Sequence, residues 1–122
     1  MAELIKKSFE SPEKIEEYPG LKSELVNIGG IEVYRMTFKP GWSWVESIGS
    51  QSCDSEHIIW VVLSGRFAVR MNDGTTQEFK SGDIATIPPG HTSWVIGEES
   101  VVALDIEKEG IDKTLLASLL ED

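Results

Sequence analysis

"GDIATIPPGHTSWVIG", residues 82–97, is the stretch on which the fold turns. Gly82 and Gly90 supply unhindered turns, and Pro88-Pro89 stiffens the corner between them. The segments on either side, DIATI and TSWVI, are rich in β-forming residues. A rigid corner between two strands holds the side chains that follow it in a fixed place. Extended backbone from His91 onward puts His91 and Ser93 on one face, with Trp94 directly after them.

Reading outward, the same punctuation recurs. The runs LKSELVNI, IEVYRMTF, WSWVE, IIWVVL, RFAVRM, TTQEFK, DIATI, TSWVI and VVALDIE are separated by Gly29-Gly30, Pro40-Gly41, Ser64-Gly65, Asn72-Asp73-Gly74, Ser81-Gly82 and Pro88-Pro89-Gly90. Asp-Gly between β-like runs is a hairpin signal, because both residues tolerate positive φ. Strands without long intervening helices imply an antiparallel sandwich or barrel. Residues 1–20 are polar, with breaks at Ser11-Pro12 and Pro19-Gly20, and read as an N-terminal arm or strand. Residues 21–108 form the β domain. Residues 109–122 contain IDKTLLASLLED, where Asp112 is placed as an N-cap and Leu115, Leu116, Leu119 and Leu120 share a face, so a short C-terminal helix is expected.

The bulk composition narrows the function. A chain of 122 residues points to one domain. A net charge of −10 repels phosphate backbones and argues against a nucleic-acid partner. No apolar run is long enough to span a membrane, and MAELIKKSFE lacks the apolar region of a signal peptide. A single cysteine excludes an intramolecular disulfide. Together these features lead to the expectation of a cytoplasmic protein.

With Gly82, Pro88 and Gly90 at their observed spacing, residues 82–97 resemble the second signature of the cupin superfamily. The hairpin before it, LSGRFAVRMNDGTTQEFKSGD, is similar in kind, and the resemblance covers residues 38–106. It implies an all-β double-stranded β-helix, or jelly-roll barrel, with a ligand site in its mouth. More narrowly, PGWSW, C-x-x-x-H and PPGH-x-x-W resemble a group of small bacterial cupins. The resemblance also implies a homodimer, in which residues 1–20 would cover an exposed sheet edge.

The usual cupin metal ligands do not fall in place. They are two histidines and a glutamate from the first signature and one histidine from the second. Counting back from Gly65, the glutamate position is Ile58, and the histidine positions are Ser52 and Asp54, or Gln51 and Cys53. In the second signature the histidine position is Ser93 and the asparagine position is Gly97. A displaced site remains open. His57 lies one residue before the glutamate position and His91 two before the histidine position. In a regular strand His57 and Ile58 face opposite ways, and a one-residue bulge would turn His57 inward. The pattern does not decide the register, because Ile58, Trp60 and Val62 on one face and Ile59, Val61 and Leu63 on the other are equally apolar.

The candidate pocket residues are His57, His91, Trp60, Trp94, Ser93 and Trp44, and the candidate metal ligands are His57, His91 and Cys53. Cys53 and His57 would be about 13 Å apart along an extended strand, so only a loop or bulge brings them together. Glu46 shares a face with Trp42 and Trp44 if WSWVE is extended. The expected function is binding of a small molecule in a tryptophan-lined pocket, without the usual cupin metal. The alternatives are a metal-dependent oxygenase or isomerase with a divalent transition metal on displaced ligands, and a structural dimer that recruits a partner.

Overall fold

Glycine turns set the strand order. Gly29 and Gly30, with φ of 58° and 80°, join β2 (Leu21–Ile28) to β3 (Ile31–Phe38) as a two-residue hairpin. The computed structural model describes residues 3–49 and 52–108. Its other elements are β1 (Lys14–Tyr18), α1 (Trp44–Ile48), β4 (His57–Ser64), β5 (Arg66–Met71), β6 (Thr76–Phe79), β7 (Ile84–Ile87), β8 (His91–Ile96) and β9 (Val101–Lys108). Two antiparallel sheets result, one ordered β1-β2-β3-β9-β4-β7 and the other β6-β5-β8. The helix expected over residues 109–122 lies outside the described residues.

The core lies between the sheets. Leu21, Phe38, Trp60, Val62, Phe67, Val69, Ile87, Val95, Val101 and Ala103 meet there with Trp42. Phe38 contacts the rings of Trp42, Trp60 and Phe67 at centroid distances of 4.8, 6.0 and 4.9 Å. Alternation decides which side chains enter. In β9, Val101, Ala103 and Asp105 are buried while their neighbours are half-buried. Gly65, with φ +79°, is required where β4 turns into β5. A Cβ there would collide with the Ser100 carbonyl.

On β2 and β3, Glu24 and Arg35 form a two-pronged ion pair (2.9 and 3.0 Å), and Phe9 lies over the guanidinium. Among the described residues no helix is long and apolar enough to cross a membrane.

WSWVE is not a strand. Trp44–Ile48 is a short helix capped by Ser43, whose hydroxyl accepts from the Glu46 N–H at 3.2 Å, and Gly49 closes it in the left-handed region. The Ser43-x-x-Glu46 spacing matches the capping pattern, and a local side-chain bond to the first turn outcompetes a ladder. Glu46 consequently projects from an exposed first turn and does not share a strand face with Trp42.

Candidate metal centre

Two strand starts and one irregular segment converge at one end of the sandwich. His57 opens β4 in the larger sheet and His91 opens β8 in the smaller one. Cys53 is pinned beside His91 by a single bridge. Its N–H donates to the His91 carbonyl at 2.6 Å, and its own carbonyl accepts from the N–H groups of Gly90 and His91 at 2.8 and 3.1 Å. Residues 54–56 have no regular structure, and they carry the chain from Cys53 across to His57. The extended separation of about 13 Å therefore does not apply. The ligand atoms of Cys53, His57 and His91 all lie within 4.8 Å of one another.

His57 turns inward at a bulge. In the β4–β7 ladder His57 is opposite Ile87 and Trp60 opposite Ala85, so β4 spends three residue steps where β7 spends two. His57 and Trp60 thus share the inner side, with ring centroids 5.5 Å apart, although they differ by an odd number of residues. The register left open by the pattern is resolved after the bulge. Trp60 and Val62 point in, while Ile59 and Leu63 are exposed outside.

Both imidazoles are held through Nδ1. That of His57 is 2.8 Å from Asp105 Oδ2, and that of His91 is 2.9 Å from the Pro88 carbonyl. A carbonyl only accepts, so His91 Nδ1–H donates to it, and Nε2 is the ring nitrogen left to reach a metal. Asp105 orients His57 in the same way. Carboxylate and carbonyl supports of this kind are the usual outer partners of metal-binding histidines. Asp105 is the functional residue that motif reading missed. Its signal was an acid at the third inward position of VVALDIE, behind Val101 and Ala103.

Electrostatics couple the group. Burial opposes the charged form of Cys53, but hydrogen bonds with His57 and His91 outweigh it and bring the thiol down to about 6. Burial likewise opposes the His57 imidazolium, and Asp105 and Cys53 outweigh it, raising His57 to about 9. Without a metal, neutral pH therefore favours a thiolate–imidazolium pair.

A cavity of about 400 Å³ adjoins the three ligands. Trp60, Trp42 and Trp44 wall it, the last delivered by α1, and Ser93, His91, His57 and Cys53 face it. Trp94 does not. Alternation along β8 places Thr92, Trp94 and Ile96 on the other side from the buried His91, Ser93 and Val95, and the Arg70 guanidinium lies over the Trp94 ring at 5.3 Å. Among the described residues, the indole N–H groups of Trp42, Trp44 and Trp60 and the Oδ1 of Asp105 are buried without a hydrogen-bond partner.

Solved structures share this architecture. Oxalate decarboxylase of Lactobacillus farciminis, in its formate complex, superposes with a TM-score of 0.61 at 20% identity, over 86% of this chain and 35% of that one. KdgF from Halomonas sp. gives 0.58 at 17%, over 83% and 90% of the two chains. AerE from Microcystis aeruginosa gives 0.62 at 17%, over 78% and 44%. The chain has the cupin fold. It spans about a third of the length of the oxalate decarboxylase it matches. No family model and no curated protein matches the sequence.

Within the cupin frame the bulge explains the displaced histidine. The family pattern leaves six residues between its glutamate and the glycine here at Gly65, and His57 leaves seven. The extra residue in β4 is the bulge between His57 and Trp60, and His57 faces the cavity. His91, two residues before Ser93, keeps the same face of β8.

The donor set fits a transition metal. Imidazole and thiolate bind zinc, iron, nickel or copper, and three protein ligands leave a position open. Cys53, His57 and His91 would hold it, with ligand atoms already gathered within 4.8 Å of one another.

Proposed function

We propose that the protein is a metal-dependent cupin acting on a small organic molecule. Cys53, His57 and His91 hold one divalent transition metal at the mouth of the tryptophan-walled cavity. The observation that carries this is the approach of three ligand atoms to within 4.8 Å, with both imidazoles anchored through Nδ1. The geometry thus favours the displaced-ligand alternative over a metal-free pocket. A bound metal would supply Lewis-acid or redox chemistry at the open position. The chain's own groups do the rest. Asp105 and the Pro88 carbonyl fix the rings, the aromatic wall excludes water, and Ser93 offers a hydroxyl on the His91 face.

Elemental analysis of untagged protein tests this reading. About one equivalent of metal is expected in the wild type and none in His57→Ala/His91→Ala. Cobalt substitution should add a thiolate-to-metal charge-transfer band that Cys53→Ser abolishes. Failure to bind metal even after reconstitution overturns the proposal.

A second reading is favoured by the lowered thiol. Cys53, His57 and Asp105 have the order of a nucleophile, its base and the group that orients the base. Metal-free protein that turns over thioesters, with activity lost in Cys53→Ser, would select this reading.

We also propose a homodimer. Ile59, Leu63 and Ile84 are exposed together on the outer face of β4 and β7. Light scattering should give twice the chain mass, and a single-chain mass would rule the dimer out.

A further inference from the structure

Hydrogen-bond donors, not charges, are what this cavity leaves unmatched. Among its described lining residues the indole N–H groups of Trp42, Trp44 and Trp60 are buried without a partner, against one acceptor in the same condition, Asp105 Oδ1. Trp42 and Trp60 are only 4% and 3% exposed, so bulk water does not serve them. The rings packed on both, Phe38 and Phe67, offer no oxygen or nitrogen acceptor. Trp42 is also fixed by its backbone. Its N–H donates to the Lys39 carbonyl at 3.1 Å, and its carbonyl accepts from the Val95 N–H at 2.9 Å.

The charged groups of the wall are committed elsewhere. Asp105 holds His57, and Glu16 pairs with Lys14 and accepts from Tyr18. Glu107 has a partner of its own, and Glu56 is half-buried, within reach of water. No lysine or arginine lines the cavity among the described residues.

We infer that the ligand of this cavity is neutral and flat, an acceptor of hydrogen bonds without formal charge: an aromatic ketone, ester or lactone. This rests on the reading that the cavity is the substrate site. A buried donor left unpaired is costly, and a carbonyl carried in by the ligand recovers that cost on binding. The flat body stacks on the aromatic walls. A hydrocarbon of the same shape leaves the indole N–H groups as unpaired as before. Away from the metal an anion finds no lysine or arginine, and a cation finds carboxylates that already have partners or water. Either ion loses hydration without an opposite charge in return.

Four probes on one bicyclic frame test this: 1-tetralone, tetralin, 1-aminotetralin and tetralin-1-carboxylate. Each is titrated into the zinc-loaded protein, and again after chelation, by proton–nitrogen correlation NMR. The ketone should bind at least about tenfold tighter than tetralin, and tighter than both ions, in both states. Indole resonances among Trp42, Trp44 and Trp60 should move downfield with the ketone and not with tetralin. That of Trp94, which faces away, should stay, and Trp94→Phe identifies it. Trp44→Phe keeps a ring and deletes a donor, and should cut the preference for the ketone severalfold. If that variant does not fold, the indole shifts of the wild type decide. Tetralin or either ion binding as tightly as the ketone overturns the inference. So does a ketone preference seen only with zinc present, since that would be metal ligation. Indole resonances that ignore the ketone, or silence of all four probes, overturn it too. A protein that holds stoichiometric metal through such a failure leaves the metal reading standing.

Discussion

Cys53 and His57 are ordinary residue types made unusual by three contacts. The lowered thiol predicts that alkylation of metal-free protein by iodoacetamide rises through about pH 6, because the thiolate already dominates above that value. His57→Ala removes a hydrogen-bond partner and should move the inflection up toward 9, the value of an unperturbed thiol. The raised His57 has the opposite sign. At neutral pH it is protonated in the metal-free protein, so metal binding should release about one proton per ion. Calorimetry in buffers of different ionisation enthalpy measures that number. Asp105→Asn keeps the size and loses the charge behind His57. We expect about 10- to 100-fold weaker metal binding by chelator competition. An unchanged affinity would show that Asp105 does not support the centre.

At the scale of elements, α1 and the β4 bulge place the site. Ser43→Ala should lower stability by about 1 kcal/mol in urea unfolding, since the cap satisfies a first-turn N–H. The helix also delivers Trp44 and Ile48 to the cavity wall, so the same variant should alter fluorescence quenching by aromatic probes. The bulge makes a sharper claim. Deleting the exposed Ile59 restores regular pairing and leaves His57 two positions from Trp60, on the same face. The deletion variant should therefore still bind metal. A folded variant without metal would show that the extra residue does more than set the register. These elements were unequally legible. The corner at Pro88-Pro89-Gly90 and the Asn72-Asp73-Gly74 hairpin declare themselves, because turn chemistry is local. The bulge does not, because two equally apolar faces of IIWVVL give the pattern nothing to choose between. WSWVE misleads, because bulky aromatics mask the Ser43–Glu46 cap.

For the molecule as a whole, the metal couples the two sheets. His57 belongs to the sheet that carries β4, His91 to the sheet that carries β8, and Cys53 lies on the segment between. An ion at a hundredfold excess over its Kd adds about 2.7 kcal/mol to a folded state that alone binds it, so chelation should lower Tm by roughly 10 °C. An unchanged Tm would mean that the three ligands do not bind as a unit. The sequence by itself determined the β class, the turns and the residue types available for chemistry, since alternation and φ preferences act over a few neighbours. It also marked His57 and His91 as displaced from the family positions. Only the tertiary structure decided that Cys53 joins them, that Asp105 stands behind His57, and that Trp94 faces away. Those outcomes depend on ladder register and on an irregular crossing at residues 54–56, and contacts between distant segments set both.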